Sequence, residues 1–216
     1  MNVFTFSAAG GHPANEDAFR VEPHPKNPDV LLVAVADGQG GRAGGARAAR
    51  LAVDTAIEVA GRQEWADLLN NPWQWPDLLR RADEAVRDDP EAGFTTLVGF
   101  AAITDCTAVG ASCGDSAVLL AESGRSELLT ARQFKNPPVG SGDATFVSFS
   151  GWPDSQGVLL AMTDGVWKYA GWEAVKEAAR MLRGQELIDA IAARARLPRS
   201  GEFQDDFTLV VLEGDT

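Results

Sequence analysis

The chain has 216 residues, with 31 Asp and Glu against 19 Lys and Arg and a formal net charge of −12. Such a surface repels the phosphate backbone of nucleic acids, whose binding depends on basic side chains releasing counterions. The length suffices for one sizeable core and no linker divides it, so a single domain over residues 1–216 is expected; no apolar run is long enough to span a membrane and no basic-headed signal segment is present, which predicts a cytoplasmic protein without membrane partners.

In chain order, residues 3–6 form a short strand that runs into Gly10-Gly11, and Asp17-Ala18-Phe19-Arg20-Val21 opens another, with the polar turn His12-Pro13-Ala14-Asn15-Glu16 between them. After a proline-containing loop over 24–28, an unbroken apolar run from Leu31 to Ala36 predicts a strand buried on both faces, ending in Asp37 and three glycines within four residues. Small apolar residues at helical spacing over 43–60, among them Ala49, Val53, Ala56 and Ile57, predict a helix lying close on a sheet. Trp65, Trp73 and Trp75 mark an irregular connection and read as packing, and Pro76 starts a second helix through Leu79, Ala82 and Val86.

Strands follow at 94–103, 108–113 and 117–121, the last two joined by Gly114-Asp115-Ser116 and therefore expected to be antiparallel neighbours. A loop at 135–143 precedes a strand at 145–149, and 157–162 is a second buried strand, ending in Asp164-Gly165. Helix fills 173–196 with a break at Gly184, and the last strand, 207–212, follows Asp205-Asp206. Cys106 and Cys113 lie in strand-rich sequence at a spacing that does not favour a local bridge, and read as reduced, buried, small hydrophobes. Helices come in two pairs bracketed by strands and do not alternate with them singly. That pattern predicts an α+β protein of two antiparallel sheets packed face to face with helices outside.

Taken alone, Asp37 reads as the cap of a strand-to-helix turn. Four carboxylate groups, however, occupy equivalent places: Glu16-Asp17 at the start of a strand, Asp37 and Asp164 at the ends of buried strands, and Asp205 at the start of the last one. Charge crowded at one rim demands a cation. Acids outnumber Lys and Arg at these positions, Lys168 being the cation noted beside Asp164, and hard divalent ions take oxygen ligands. A pair of such ions about 3.5–4 Å apart, bridged by a carboxylate, generates a hydroxide and clamps a phosphoryl group for in-line attack. Asp37 is the natural bridge and the Gly38 carbonyl an added ligand, since no Cβ obstructs its approach.

Asn15-Glu16-Asp17, Asp37-Gly38-Gln39-Gly40-Gly41, Gly93-Phe94-Thr95-Thr96, Gly114-Asp115-Ser116, Thr163-Asp164-Gly165-Val166-Trp167 and Asp205-Asp206-Phe207-Thr208 occur in an order and spacing that resembles the metal-dependent protein phosphatases of type 2C, the PPM family. Each motif is weak alone, because Asp-Gly pairs are common in turns; six in order are specific. The resemblance implies a four-layer α/β/β/α sandwich with a dinuclear Mn²⁺ or Mg²⁺ centre at one end of the sheets. It implies that Asp37 bridges both ions, that Asp164 and Asp205 hold the first, that Glu16 and the Gly38 carbonyl hold the second, and that Asp17 acts through water. The Thr95-Thr96 strand is then core, and Asp115 faces a third-metal site or, equally, is a turn residue.

The chain departs from that family at substrate-handling positions. His12 stands where an arginine commonly grips the substrate phosphate, Gln39 where a histidine is the usual general acid, and Lys168 where many members carry a third-metal aspartate, so a third ion is expected to be weak or absent. The flap region before Thr163 is short. The resemblance implies a serine/threonine phosphatase acting on phosphoproteins supplied by a partner kinase, through direct attack of a metal-bridging hydroxide. Its rivals are a weakly active regulatory module that keeps the fold, and a hydrolase of a small phosphorylated metabolite.

Overall fold

A computed structural model describes residues 1–11, 14–39, 44–122, 124–153 and 157–214. One five-stranded sheet has the order β1 (Asn2–Ala8), β10 (Phe207–Glu213), β9 (Val158–Met162), β6 (Ala117–Glu122) and β7 (Arg125–Leu128). The other has the order β2 (Asp17–His24), β3 (Asn27–Asp37), β4 (Leu97–Ala102), β5 (Ala108–Cys113) and β8 (Val147–Gly151). Every pairing between neighbouring strands is antiparallel.

The continuous apolar runs are explained by burial on both faces. Along β3, Leu32, Ala34 and Ala36 pack under helices α1 (Gly45–Gly61), α2 (Trp65–Asn70) and α3 (Trp75–Asp88), while Val33 and Val35 face the other sheet. Along β9, Val158, Leu160 and Met162 pack with α4 (Asp164–Ala170), α5 (Trp172–Met181) and α6 (Gly184–Ala195), while Leu159 and Ala161 face the inter-sheet core with Phe100, Val118 and Val210. The three cores are therefore helix–sheet, sheet–sheet and sheet–helix, which makes the four layers. The alanines of α1 at 48, 49, 52, 56 and 60 are all buried and let that helix lie close on β3. Burying each Val or Leu contributes about 1.5–3 kcal/mol. The buried stretch of β3 from Leu32 to Ala36 can therefore carry a costly carboxylate at its end without fraying.

Three expectations are corrected. Gly114-Asp115-Ser116 is no hairpin: β5 and β6 lie in different sheets, β6 pairing with β7 and β9, so this turn crosses from one sheet to the other. Local sequence looks the same in both cases, and the partner strands decide. The tryptophan-marked connection is helical, comprising α2 and a 3-10 turn at Pro72–Gln74, with Trp75 buried and its indole N–H donating to the Leu68 carbonyl. The strand expected to begin at 94 begins instead at Leu97, because Thr95 and Thr96 are occupied at the site described below. Both cysteines are free and buried, as expected.

Candidate active site

Strand ends from both sheets meet at one edge of the sandwich. Asp17 opens β2 directly opposite Asp37, which closes β3. Asp164 begins α4 immediately after β9, and Asp205 and Asp206 precede β10. Together with Glu16, Gly38, Gln39, Thr95, Thr96 and Asp115, the side chains of 37, 164, 205 and 206 line a cleft of about 560 Å³. Asp17 lies just behind it, with its Oδ2 accepting a 2.8 Å hydrogen bond from the Thr163 hydroxyl. His12, Gly40 and Gly41 lie outside the described residues.

Two glycines permit this convergence. A Cβ on Gly38 would stand 2.5 Å from the Gly45 carbonyl group and 2.7 Å from the Glu16 oxygen, so only glycine lets the ends of β2 and β3 and the start of α1 touch. A Cβ on Gly165 would fall 1.9 Å from the Asp206 carbonyl oxygen. The Asp-Gly pairs are thus demanded by backbone contact as well as by any ligand.

Hydroxyls and one carboxylate then hold the loops. The Asp37 carbonyl accepts from the Thr95 hydroxyl (2.8 Å) and the Thr96 amide (2.9 Å), and the Asp37 amide donates to the Thr96 hydroxyl (2.9 Å). The two threonines therefore clamp the backbone of Asp37, a role beyond the core packing expected of them. Asp206, to which the sequence reading assigns no role, accepts from the Gly10 amide (2.8 Å) and the Glu16 amide (2.6 Å), tying three chain segments together. Gln39 is exposed, with its backbone N–H donating to the Phe94 carbonyl at 2.8 Å.

The electrostatics are those of crowded acids. Burial, followed by the charges of Asp17, Asp164, Asp115 and Asp205, pushes Asp37 up to about 9. Burial also raises Asp17 to about 7 against opposing hydrogen bonds from Thr208 and Thr163. Asp164 is raised by burial but moderated by Lys168, whose ammonium lies 2.8 Å from it. Asp115 meets Lys135 at 2.6 Å.

Oxygen donors alone line the acidic side of the cleft, and Glu16 Oε2 and Asp17 Oδ1 are buried without a hydrogen-bond partner among the described residues. Leaving such atoms bare is costly, and a hard divalent ion would satisfy them. Among the described residues no three His, Cys, Asp or Glu side chains already meet as a metal cluster. Asp164 and Asp115 are each paired with a lysine, and Asp206 with the amides of Gly10 and Glu16.

The profile of the protein phosphatase 2C family matches residues 8–195, and the chain belongs to that family. Among solved structures, a bacterial serine phosphatase variant covers 100% of this chain and 99% of its own at TM-score 0.80 and 18% identity. The PPM Ser-Thr phosphatase MsPP from Mycobacterium smegmatis, crystallised with cacodylate, covers 100% and 99% at TM-score 0.74 and 21% identity. RsbX, crystallised with magnesium, covers 98% and 94% at TM-score 0.69 and 13% identity. At these identities the likeness speaks for the fold. No curated protein sequence matches.

Proposed function

We propose that residues 1–216 form one metal-dependent phosphatase domain acting on phosphoserine and phosphothreonine in cytoplasmic proteins phosphorylated by a partner kinase. The observation that supports it is the gathering of Glu16, Asp37, Asp164 and Asp205, from four separate chain segments, at one cleft in a chain of this family. Asp37, Asp164 and Asp205 would hold one Mn²⁺ or Mg²⁺, and Asp37, Glu16 and the Gly38 carbonyl a second. Bound divalent ions supply polarisation of phosphoryl oxygens and activation of water.

The chain's own groups do the rest. Thr95 and Thr96 fix the backbone from which Asp37 projects, and Asp17, anchored by Thr163, presents an oxygen from behind. Gln39, exposed at the cleft, donates a hydrogen bond to the departing oxygen but has no proton to transfer. Lys168 on Asp164 and Lys135 on Asp115 place ammonium charge where a third cation would need bare oxygens, which keeps a third ion weak. A regulatory module released from catalysis has no physical reason to retain the full oxygen set. No described helix is long and apolar enough to cross a membrane.

The test is release of inorganic phosphate from phosphopeptides and from small phosphoesters by the purified chain. Release should require Mn²⁺ or Mg²⁺, stop with chelator, favour the peptides, and fall by at least about 100-fold in Asp37→Asn. Activity without divalent ions, or undiminished in that variant, would overturn the reading.

A further inference from the structure

Among the described residues lining the cleft, six are acids and Lys135 is the one cation. Lys168 touches Asp164 but does not line the cavity. A phosphate dianion approaching an acidic mouth needs a positive group to meet it.

Lys135 stands on a segment held in place at several points. The Phe134 carbonyl accepts from the Gly114 amide at 2.8 Å, and Val139 pairs with Thr95 through two backbone hydrogen bonds of 3.1 Å. Asp83, fully buried on α3, accepts from the amides of Gly140 (2.6 Å), Gly142 (3.2 Å) and Ala144 (3.2 Å). The loop from 134 to 144 is thereby a fixed wall of the site, with Lys135, Asn136 and Pro138 facing the cavity.

We propose that Lys135 binds the phosphate of the substrate and that Asp115 is the residue that positions it. The ammonium has three donors; one is engaged by Asp115 Oδ2 at 2.6 Å, which leaves two for phosphate oxygens. Asp115 is itself fixed, since its carbonyl accepts from the Trp167 indole N–H at 3.1 Å and that ring stacks on Trp172 at 5.2 Å. Twenty residues separate Lys135 from Asp115, and the crossover between the sheets together with the pinned loop brings them together. The ammonium thus supplies a point charge that meets a monoester dianion at an otherwise acidic lining, as seen among the described residues.

This inference rests on the phosphatase reading, and the experiment separates the two. Inorganic phosphate is titrated calorimetrically into the Mg²⁺-supplemented protein, alongside KM and kcat for a phosphopeptide, in the parent, Lys135→Met, Lys135→Arg and Asp115→Asn. Lys135→Met should weaken phosphate binding about 10-fold or more and raise KM with a smaller change in kcat, the loss expected of one charge-assisted hydrogen bond. Lys135→Arg should recover most of the affinity, and Asp115→Asn should fall between. Thermal midpoints of the two Lys135 variants should match the parent, since that side chain is largely exposed. Equal phosphate affinity in the parent and Lys135→Met, or no phosphate binding by the parent, overturns the proposal. A parent that binds phosphate through Lys135 yet hydrolyses no ester would instead overturn the phosphatase reading alone.

Discussion

Gln39 sits at the mouth of the cleft with its backbone fixed to Phe94 and its side chain exposed. A serine alkoxide needs a proton as it leaves, whereas an aryl oxide departs without one. A carboxamide donates a hydrogen bond and keeps its proton. The expected consequence is a rate on alkyl phosphoesters lower by about 10²–10⁴-fold than a general acid would give, with aryl phosphates little affected. Plotting log kcat/KM against leaving-group pKa for the parent and Gln39→His tests this. A shallower slope and a new pH-dependent limb in the histidine variant are the expected outcome. Parallel plots would mean that this position does not govern protonation.

Among the elements, α3 carries the least expected function. Its apolar face is legible as packing, yet Asp83 on that face is fully buried and caps three amides of the 134–144 loop. Asp83→Ala leaves three donors without an acceptor, and at about 1–3 kcal/mol for a buried unsatisfied group the chain should lose at least that much stability. Asp83→Asn keeps one acceptor oxygen and should lose less. Denaturant unfolding gives the stability, and the phosphopeptide KM should rise in parallel as Lys135 loses its fixed backbone. A KM unchanged in a destabilised Asp83→Ala would separate the loop from substrate binding.

For the whole molecule the acid-crowded edge sets the response to pH. Asp37 is raised from an ordinary 3.8 to about 9 and Asp17 to about 7, so the folded, metal-free protein holds protons that the unfolded chain releases. A raised carboxyl contributes its stability below the unfolded value and loses it as pH rises through the folded one. In chelator, the thermal midpoint should therefore fall progressively between about pH 4 and pH 9, and Asp37→Asn, with no charge to bury, should fall less. Divalent ions require these acids ionised, so at neutral pH binding should release protons and stabilise most at high pH. Calorimetry in two buffers of different ionisation enthalpy counts the protons. Metal binding without proton release, with a flat midpoint in chelator, would contradict the crowding.

The strands β3 and β9 and the acids at their ends were readable from sequence because burial on both faces writes a continuous apolar run, and a carboxylate after such a run has few places to go. The grouping of helices into two blocks between runs of strands likewise announced the layered sandwich, although each block holds three helices where two were expected, and the ordered Asp-Gly motifs announced the family. What sequence could not decide was pairing at a distance. Gly114-Asp115-Ser116 reads as a hairpin and is a crossover, because β6 finds β9, some 40 residues on, a better partner than β5. Thr95 and Thr96 read as core and are clamps on Asp37, 58 and 59 residues away. Lys135 and Asp83 carried no local signal, since a lysine in a loop and an aspartate in a helix are ordinary until their partners, 20 residues away and 57 to 61 away, are brought to them. Periodicity records which face of an element is buried. Only the closed tertiary structure decides which hydrogen-bonding groups then meet, because that depends on contacts whose loop-closure cost leaves no trace in neighbouring residues.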